Sequence, residues 1–100
     1  MIPKNFKIFA HTIKIKKVKK LKNENNEDLL GEADLANNRI KLLDNDKITP
    51  VQESQKEQVF FHEFAHIMFD SIGRHDLSQD ETLVDLVGNA IHQYLKSAKY

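Results

Sequence analysis

The chain has 100 residues and contains no cysteine, no tryptophan, three glycines and two prolines. The lack of cysteine excludes a disulfide framework, a thiolate metal site and a cysteine nucleophile, which leaves imidazole and carboxylate groups as the strong metal ligands. Few glycines and prolines, together with 40% hydrophobic residues, are typical of an ordinary folded domain. We therefore expect a single domain over residues 1–100, because so short a chain builds only one core.

An excess of charge of either sign is also missing, since 15 basic and 15 acidic residues give a formal net charge of zero. The chain as a whole is thus not drawn to nucleic acid or to a membrane surface. Long apolar runs are absent too: the segment from Met1 to Phe6 has none, and later apolar stretches are interrupted by His and Glu. We expect a cytoplasmic protein without a signal peptide or a transmembrane segment.

The first half of the sequence has the pattern of strands. Residues 6–22 alternate apolar and polar side chains and change phase at Lys16–Val18, which predicts strands with a bulge or a bend there, either as a β-hairpin or as a long bent strand. Residues 29–35 and 39–43 flank Ala36–Asn38, where asparagine tolerates the positive φ of a tight turn. The sequence predicts a small, mostly antiparallel sheet in the region 1–48.

The second half, residues 49–100, changes to helical spacing. Thr49 and Pro50 form an N-cap followed by a proline at the first helical position, and no breaker occurs before Gly73. A second helix is predicted to begin at Ser78, because Ser78 and Glu81 match the capping-box pattern. Its apolar residues recur at helical spacing: Leu83, Val84, Val87, Ala90, Ile91, Tyr94 and Leu95. A sheet followed by two long helices predicts an α+β fold.

Chemistry is indicated most sharply by the segment from His62 to His66, which reads HEFAH. Two imidazoles four residues apart lie one turn apart on one face of a helix and can reach a single metal ion. Glu63 lies about 100° around the helix from His62, where its carboxylate can act as general base beside the metal. The three polar residues stand in the most apolar part of the chain, where burial costs roughly 1–3 kcal/mol each without partners. A bound metal would supply those partners.

A catalytic zinc ion usually takes three protein ligands, so two histidines need a third. The extended pattern HExxHxxGxxH would require glycine and histidine at the positions of Phe69 and Ile72, so it is excluded. The remaining candidates are Glu81, Asp80, His75 and His92, followed by Asp70 and Asp76.

Glu81 is the strongest of these candidates. It lies near the start of the second helix, beside the apolar stripe, and Asp85 follows one turn later on the same face. Such an ExxxD pair suits a glutamate that binds zinc and an aspartate that accepts the N–H of a ligand imidazole. The competing interpretation is that Glu81 only completes the capping box with Ser78, which needs no metal.

These residues resemble the gluzincins, the HExxH peptidases whose third ligand is a downstream glutamate. The chain is most similar to the minimal, single-domain and phage-type members called minigluzincins, and more distantly to ImmA/IrrE-type peptidases. The resemblance covers a basic strand pair, the segments 31–35 and 39–42, HEFAH and residues 81–87. It implies a zincin-like domain in which His62, His66 and Glu81 bind zinc and Asp85 orients a ligand. It also implies that a sheet strand borders the cleft, for which we choose residues 30–36.

The expected function is a zinc metallopeptidase with one Zn²⁺ per chain, which hydrolyses peptide bonds through a metal-bound water with Glu63 as general base. The expected partner is a peptide or protein substrate. Candidate donors to the oxyanion are Tyr94, Tyr100 and His75. The alternative is a zinc-binding regulatory or interaction module with little catalysis.

Eight lysines and no acidic residue occur in residues 1–22. They could favour nucleic acid. Lysines that alternate with Ile and Val are more typical of the solvated face or protected edge of a strand, and neither arginine nor aromatic rings are interleaved with them. The sequence analysis therefore expects no nucleic-acid partner and no membrane partner.

Overall fold

The computed structural model describes residues 2–44 and 50–100 and, within them, all side chains except those of residues 50–52. Its strands are β1 (Asn5–Ile8), β2 (His11–Val18), β3 (Gly31–Asp34) and β4 (Arg39–Leu43). Its α-helices are α1 (Pro50–Ser71), α2 (His75–Ser78) and α3 (Glu81–Ser97). The α+β organisation predicted from the sequence is confirmed.

The four strands form one mixed sheet in the order β1-β2-β4-β3. The pairs β1–β2 and β3–β4 are antiparallel hairpins, whereas β2 and β4 run parallel in the centre. The sequence analysis predicted both hairpins but not the parallel pair that joins them. The register between β2 and β4 is continuous from Lys14 to Val18, so the predicted bulge at Lys16–Val18 is wrong. The alternation of apolar and polar residues breaks there because Lys17 is exposed near the end of β2, although it lies on the same face of the strand as the buried Ile13.

The turn between β3 and β4 forms as predicted. A short 3₁₀ turn, Leu35–Asn37, leads to Asn38, which has the left-handed φ of 52° that asparagine tolerates. Asp34 stabilises this turn, because its carboxylate accepts hydrogen bonds from the backbone and the side chain of Asn37. The turn thereby fixes the register of β3 against β4.

Helix α1 is the middle layer of the molecule. One side packs on the sheet in a core formed by Ile13, Ile40, Leu42, Phe60 and Ile67. The other side packs on α3 through Ala65, Phe69 and Val84. Burial on two sides explains why apolar residues occur almost all around this helix. The helix ends at Ser71, and the turn after it contains Gly73, whose φ of 75° favours glycine; the predicted cap at Thr49 lies outside the described residues.

Helix α3 does not start where the capping-box pattern predicted. Ser78 ends the short helix α2, and the N-cap of α3 is Asp80, whose carboxylate accepts a hydrogen bond from the backbone N–H of Leu83. Asp80 can act as the N-cap because a carboxylate at the helix start accepts hydrogen bonds from the free N–H groups as well as serine does. Glu81 is therefore the first residue of α3, and the capping-box interpretation of Ser78 and Glu81 is wrong.

The buried residues of α3 are Val84, Gly88 and His92. Of the residues expected to pack on the core, Leu83, Val87 and Ile91 are half-buried, whereas Tyr94 is exposed and contacts Tyr100 through the two hydroxyl groups. Within the part of the chain that the structure describes, no helix combines the length and the apolar character that crossing a bilayer requires.

Candidate metal centre

The HEFAH segment lies in the second half of α1, and its two histidines lie on the side facing the start of α3. The ring centroids of His62 and His66 are 5.1 Å apart, as expected for side chains one turn apart. One potential ligand atom from each of His62, Glu63 and His66 lies within 4.8 Å of the others. The side chains of these three residues therefore lie close together, as the sequence predicted.

Glu81 reaches the same place from α3. Its Oε2 lies 3.1 Å from Nε2 of His62 and its Oε1 lies 3.3 Å from Nε2 of His66. Both imidazoles thus direct the same ring atom, Nε2, toward one carboxylate. Its position as first residue of α3 also places this carboxylate at the positive end of the helix dipole.

The outer ring nitrogens of both histidines face polar groups. Nδ1 of His62 lies 3.4 Å from Oδ1 of Asp85, and Nδ1 of His66 lies 2.9 Å from Oγ of Ser78. An Nδ1–H that donates outward leaves Nε2 with a free lone pair, the tautomer that a metal ligand needs. Asp85 was predicted for this position. Ser78 was missed as a histidine partner, because its sequence context resembled a helix cap.

The other candidate ligands lie apart from this cluster and have different partners. His75 is exposed and its Nδ1 lies 2.9 Å from Oδ1 of Asp70, while Asp76 pairs with Arg74. Asp80 caps α3. His92 is buried against the ring of Phe61, and its Nε2 lies 3.5 Å from Glu57 without a hydrogen bond.

Glu63 is 7% exposed, and burial raises the pKa of its carboxyl group to about 7, against an opposing effect of His62. Glu81 and Glu32 raise this pKa further by repulsion. Gly31, the first residue of β3, lies directly over this side chain. A Cβ atom at Gly31 would lie 2.6 Å from Cγ1 of Val59 and 3.0 Å from Cγ of Glu63. Only glycine lets the strand pass this close to the carboxylate.

A second glycine brings α3 close to α1. A Cβ atom on Gly88 would lie 2.9 Å from the carbonyl oxygen of Phe61 and 3.0 Å from the backbone N and Cα of His62. The helices therefore make backbone contact beside His62. This close approach is what lets the side chains of Glu81 and Asp85 reach the imidazoles.

A cleft of about 620 Å³ opens over the cluster. Its walls come from residues 28–31 before and at the start of β3, from α1 and from α3. Since β3 is the last strand of the sheet, its outer edge is free of strand partners among the described residues. Asn89 is a polar wall residue that the sequence analysis did not propose, whereas Tyr94, Tyr100 and His75 are not wall residues.

Comparison of the chain with models of protein families, with curated proteins and with solved structures finds no match. The interpretation of this centre therefore depends on its geometry.

Proposed function

We propose that this protein is a zinc-dependent peptidase with a zincin-like, specifically gluzincin-like, arrangement of its two long helices. The observation that carries the proposal is the convergence of Nε2 of His62, Nε2 of His66 and the carboxylate of Glu81. Three such donors from two packed helices, with Glu63 beside them, match the donor set of a catalytic zinc site.

The spacing of the donors supports the choice of metal. Two ligands that are each about 2.1 Å from a tetrahedral ion lie about 3.4 Å apart. Each oxygen of Glu81 lies near one Nε2 atom, at 3.1 and 3.3 Å, which is compatible with that spacing and is also usual for a direct hydrogen bond or ion pair. Two imidazoles and one carboxylate are also the set that leaves a fourth position for water or substrate. We expect one zinc ion per chain.

Glu63 is the group that moves protons in this proposal. Its carboxylate is buried next to the ligand cluster, where it can take a proton from an attacking water and later deliver it to the leaving amine. Burial raises the pKa of this carboxyl group to about 7 in the metal-free protein, and a bound cation would lower it and so keep the group ionised as a base at neutral pH. Zinc, when bound, supplies Lewis acidity, which activates water and polarises the substrate carbonyl.

The cleft supports an extended peptide as substrate. Residues 28–31, which lead into β3 at the edge of the sheet, line it, and a peptide can add to such an edge through main-chain hydrogen bonds. This mode of binding recognises backbone more than side chains. A peptide that continued from this edge into the cleft would pass Gly31, which covers Glu63.

The test is the Glu63→Gln variant, assayed for zinc content and for hydrolysis of a mixed peptide library. We expect hydrolysis to fall about 10²- to 10⁴-fold, because the general base is lost, while zinc content stays at one per chain. Glu53→Gln is the matched control, since Glu53 is an exposed residue of the same helix. If the parent protein binds zinc but shows no more hydrolysis than Glu63→Gln, the protein is a zinc-binding regulatory module instead.

A further inference from the structure

The face of the sheet that points away from α1 carries a dense group of cations. Ile13, Ile40 and Leu42 point toward the helix, so the alternate residues of β2 and β4 point outward. In the parallel register Lys14 is opposite Arg39, and Lys16 is opposite Lys41. These four residues define what we call the basic face.

Like charges directly opposite each other on neighbouring strands destabilise a sheet. The β4 members have partial compensation from β3, where Asp34 pairs with Arg39 at 3.1 Å and Glu32 is opposite Lys41. The β2 members have no ion pair within the described ranges. Residues 1–22, which include β1 and β2, contain no aspartate and no glutamate. Among the described residues, Lys14 and Lys16 thus keep an unpaired positive charge that an anionic ligand can meet.

Edge protection does not explain these lysines. The sequence suggested the solvated face or the protected edge of a strand, but β2 lies between β1 and β4 inside the sheet. An interior strand needs no protection against pairing with another chain. The lysines lie on the solvated face instead, where Lys14 and Lys16 are exposed and accessible to an anionic ligand.

The basic face also contains a depression. It has a volume of about 380 Å³, and its cationic wall residues are Lys4, Lys14, Lys16 and Arg39. Its other wall residues are Asn5, Ile15, Asn37 and Asn38, and no carboxylate is among the wall residues. The side-chain amide of Asn37 already donates to Asp34, which leaves Asn5 and Asn38 as free amides among the described residues. Lysine and arginine supply charge and donors for phosphate oxygens, and amide groups supply further donors.

We propose that the basic face binds the phosphate backbone of a nucleic acid, without reading its sequence. Three lysines, with Arg39 partly neutralised by Asp34, still exceed the charge of a single phosphate group around one depression, which favours a ligand with phosphates in series. The outward positions of β1, β2 and β4 hold no aromatic residue on which bases could stack. This surface lies across the sheet from α1 and its metal centre, so the proposal is independent of the peptidase proposal.

The test measures binding of a labelled 20-base-pair DNA duplex to the full chain as a function of salt. Three or four phosphate contacts predict a slope of about −3 to −4 in a plot of log K against log salt. Lys14→Gln/Lys16→Gln should weaken binding at least about tenfold and reduce the slope by about two. The matched control, Lys96→Gln/Lys99→Gln, removes the same charge near the end of α3 and should change binding less than twofold.

Both double variants should stay folded, because the four lysines are exposed, and Lys14→Gln/Lys16→Gln should melt at or above the parental temperature, because it removes repulsion across β2 and β4. The proposal is overturned if the duplex does not bind at 50 mM salt, or if the two double variants weaken binding equally. It is also overturned if vesicles containing phosphatidylserine bind the protein and the duplex does not, since the basic face then serves a membrane surface.

Discussion

Oε2 of Glu81 lies 3.1 Å from Nε2 of His62, a residue 19 positions earlier in the chain. The contact joins the start of α3 to the middle of α1 and forms beside the backbone contact at Gly88. Helix α1 carries His62, Glu63 and His66, and its packing against α3 adds Glu81, the proposed third ligand. Residues that control this packing should therefore control metal affinity.

Gly88→Ala tests that control. In an ordinary helix position the change would stabilise the protein by about 1 kcal/mol, because alanine is the better helix former. Here the added methyl group meets the backbone of Phe61 and His62, so we expect destabilisation of about 1–3 kcal/mol and weaker zinc binding. Thermal or urea unfolding of the metal-free protein gives the sign directly. A stabilised variant with parental zinc affinity would contradict the close approach of the helices.

Ser78→Ala tests the outward hydrogen bond of His66. Losing such a ligand partner should weaken zinc binding about 10- to 100-fold, and ¹⁵N chemical shifts of His66 should report a mixture of tautomers. Ser97→Ala is the control, because its hydroxyl bonds only the carbonyl of Gln93. Equal zinc affinity in Ser78→Ala and the parent would show that Ser78 does not support zinc binding through His66.

Asp80→Ala separates helix capping from metal binding. Removing the cap should cost about 1 kcal/mol of the free energy of unfolding, since the N–H of Leu83 loses its acceptor. Zinc affinity should fall far less than in Ser78→Ala, because Asp80 contacts neither imidazole. The capping-box pattern alone would predict the opposite, because it assigns the helix cap to Ser78 and not to Asp80.

The stability of the metal-free protein should depend on Glu63 and pH. Burial raises the folded-state pKa of this carboxyl group to about 7 from 4.5, so the unfolded state ionises first as pH rises. Its contribution is fully present below about pH 4.5 and is lost as pH rises through 7. In the presence of a chelator at pH 8, Glu63→Gln should therefore be more stable than the parent by on the order of 2 kcal/mol. The difference should vanish near pH 4, and urea unfolding at both pH values measures it.

The parts of the fold that follow from local spacing could be predicted from the sequence. The turn at Asn38, the long helix that carries HEFAH and the later helix with Glu81 and Asp85 all follow from periodicity and turn chemistry. Because helical spacing also decides which side chains of one helix share a face, His62, Glu63 and His66 could be proposed as one group and Glu81 with Asp85 as another.

Features that depend on packing between distant segments could not be predicted. The parallel pairing of β2 with β4 joins two hairpins across an intervening loop, and no local pattern specifies it. Ser78 and Asp80 both suit a helix start, and only the packing of α2 against α1 brings the Ser78 hydroxyl to His66. The roles of Gly31 and Gly88 likewise depend on which backbone lies opposite them.

Zinc titration of the chelator-treated protein tests the metal centre most directly, with competition by a chromophoric chelator. We predict one zinc ion per chain, and a loss of affinity of more than about 100-fold in each of His62→Ala, His66→Ala and Glu81→Gln, since ligands matter more than their hydrogen-bond partners. His92→Gln, a change at a histidine outside the cluster, should retain parental affinity. Parental affinity in Glu81→Gln, or no zinc bound by the parent, would contradict the proposed centre.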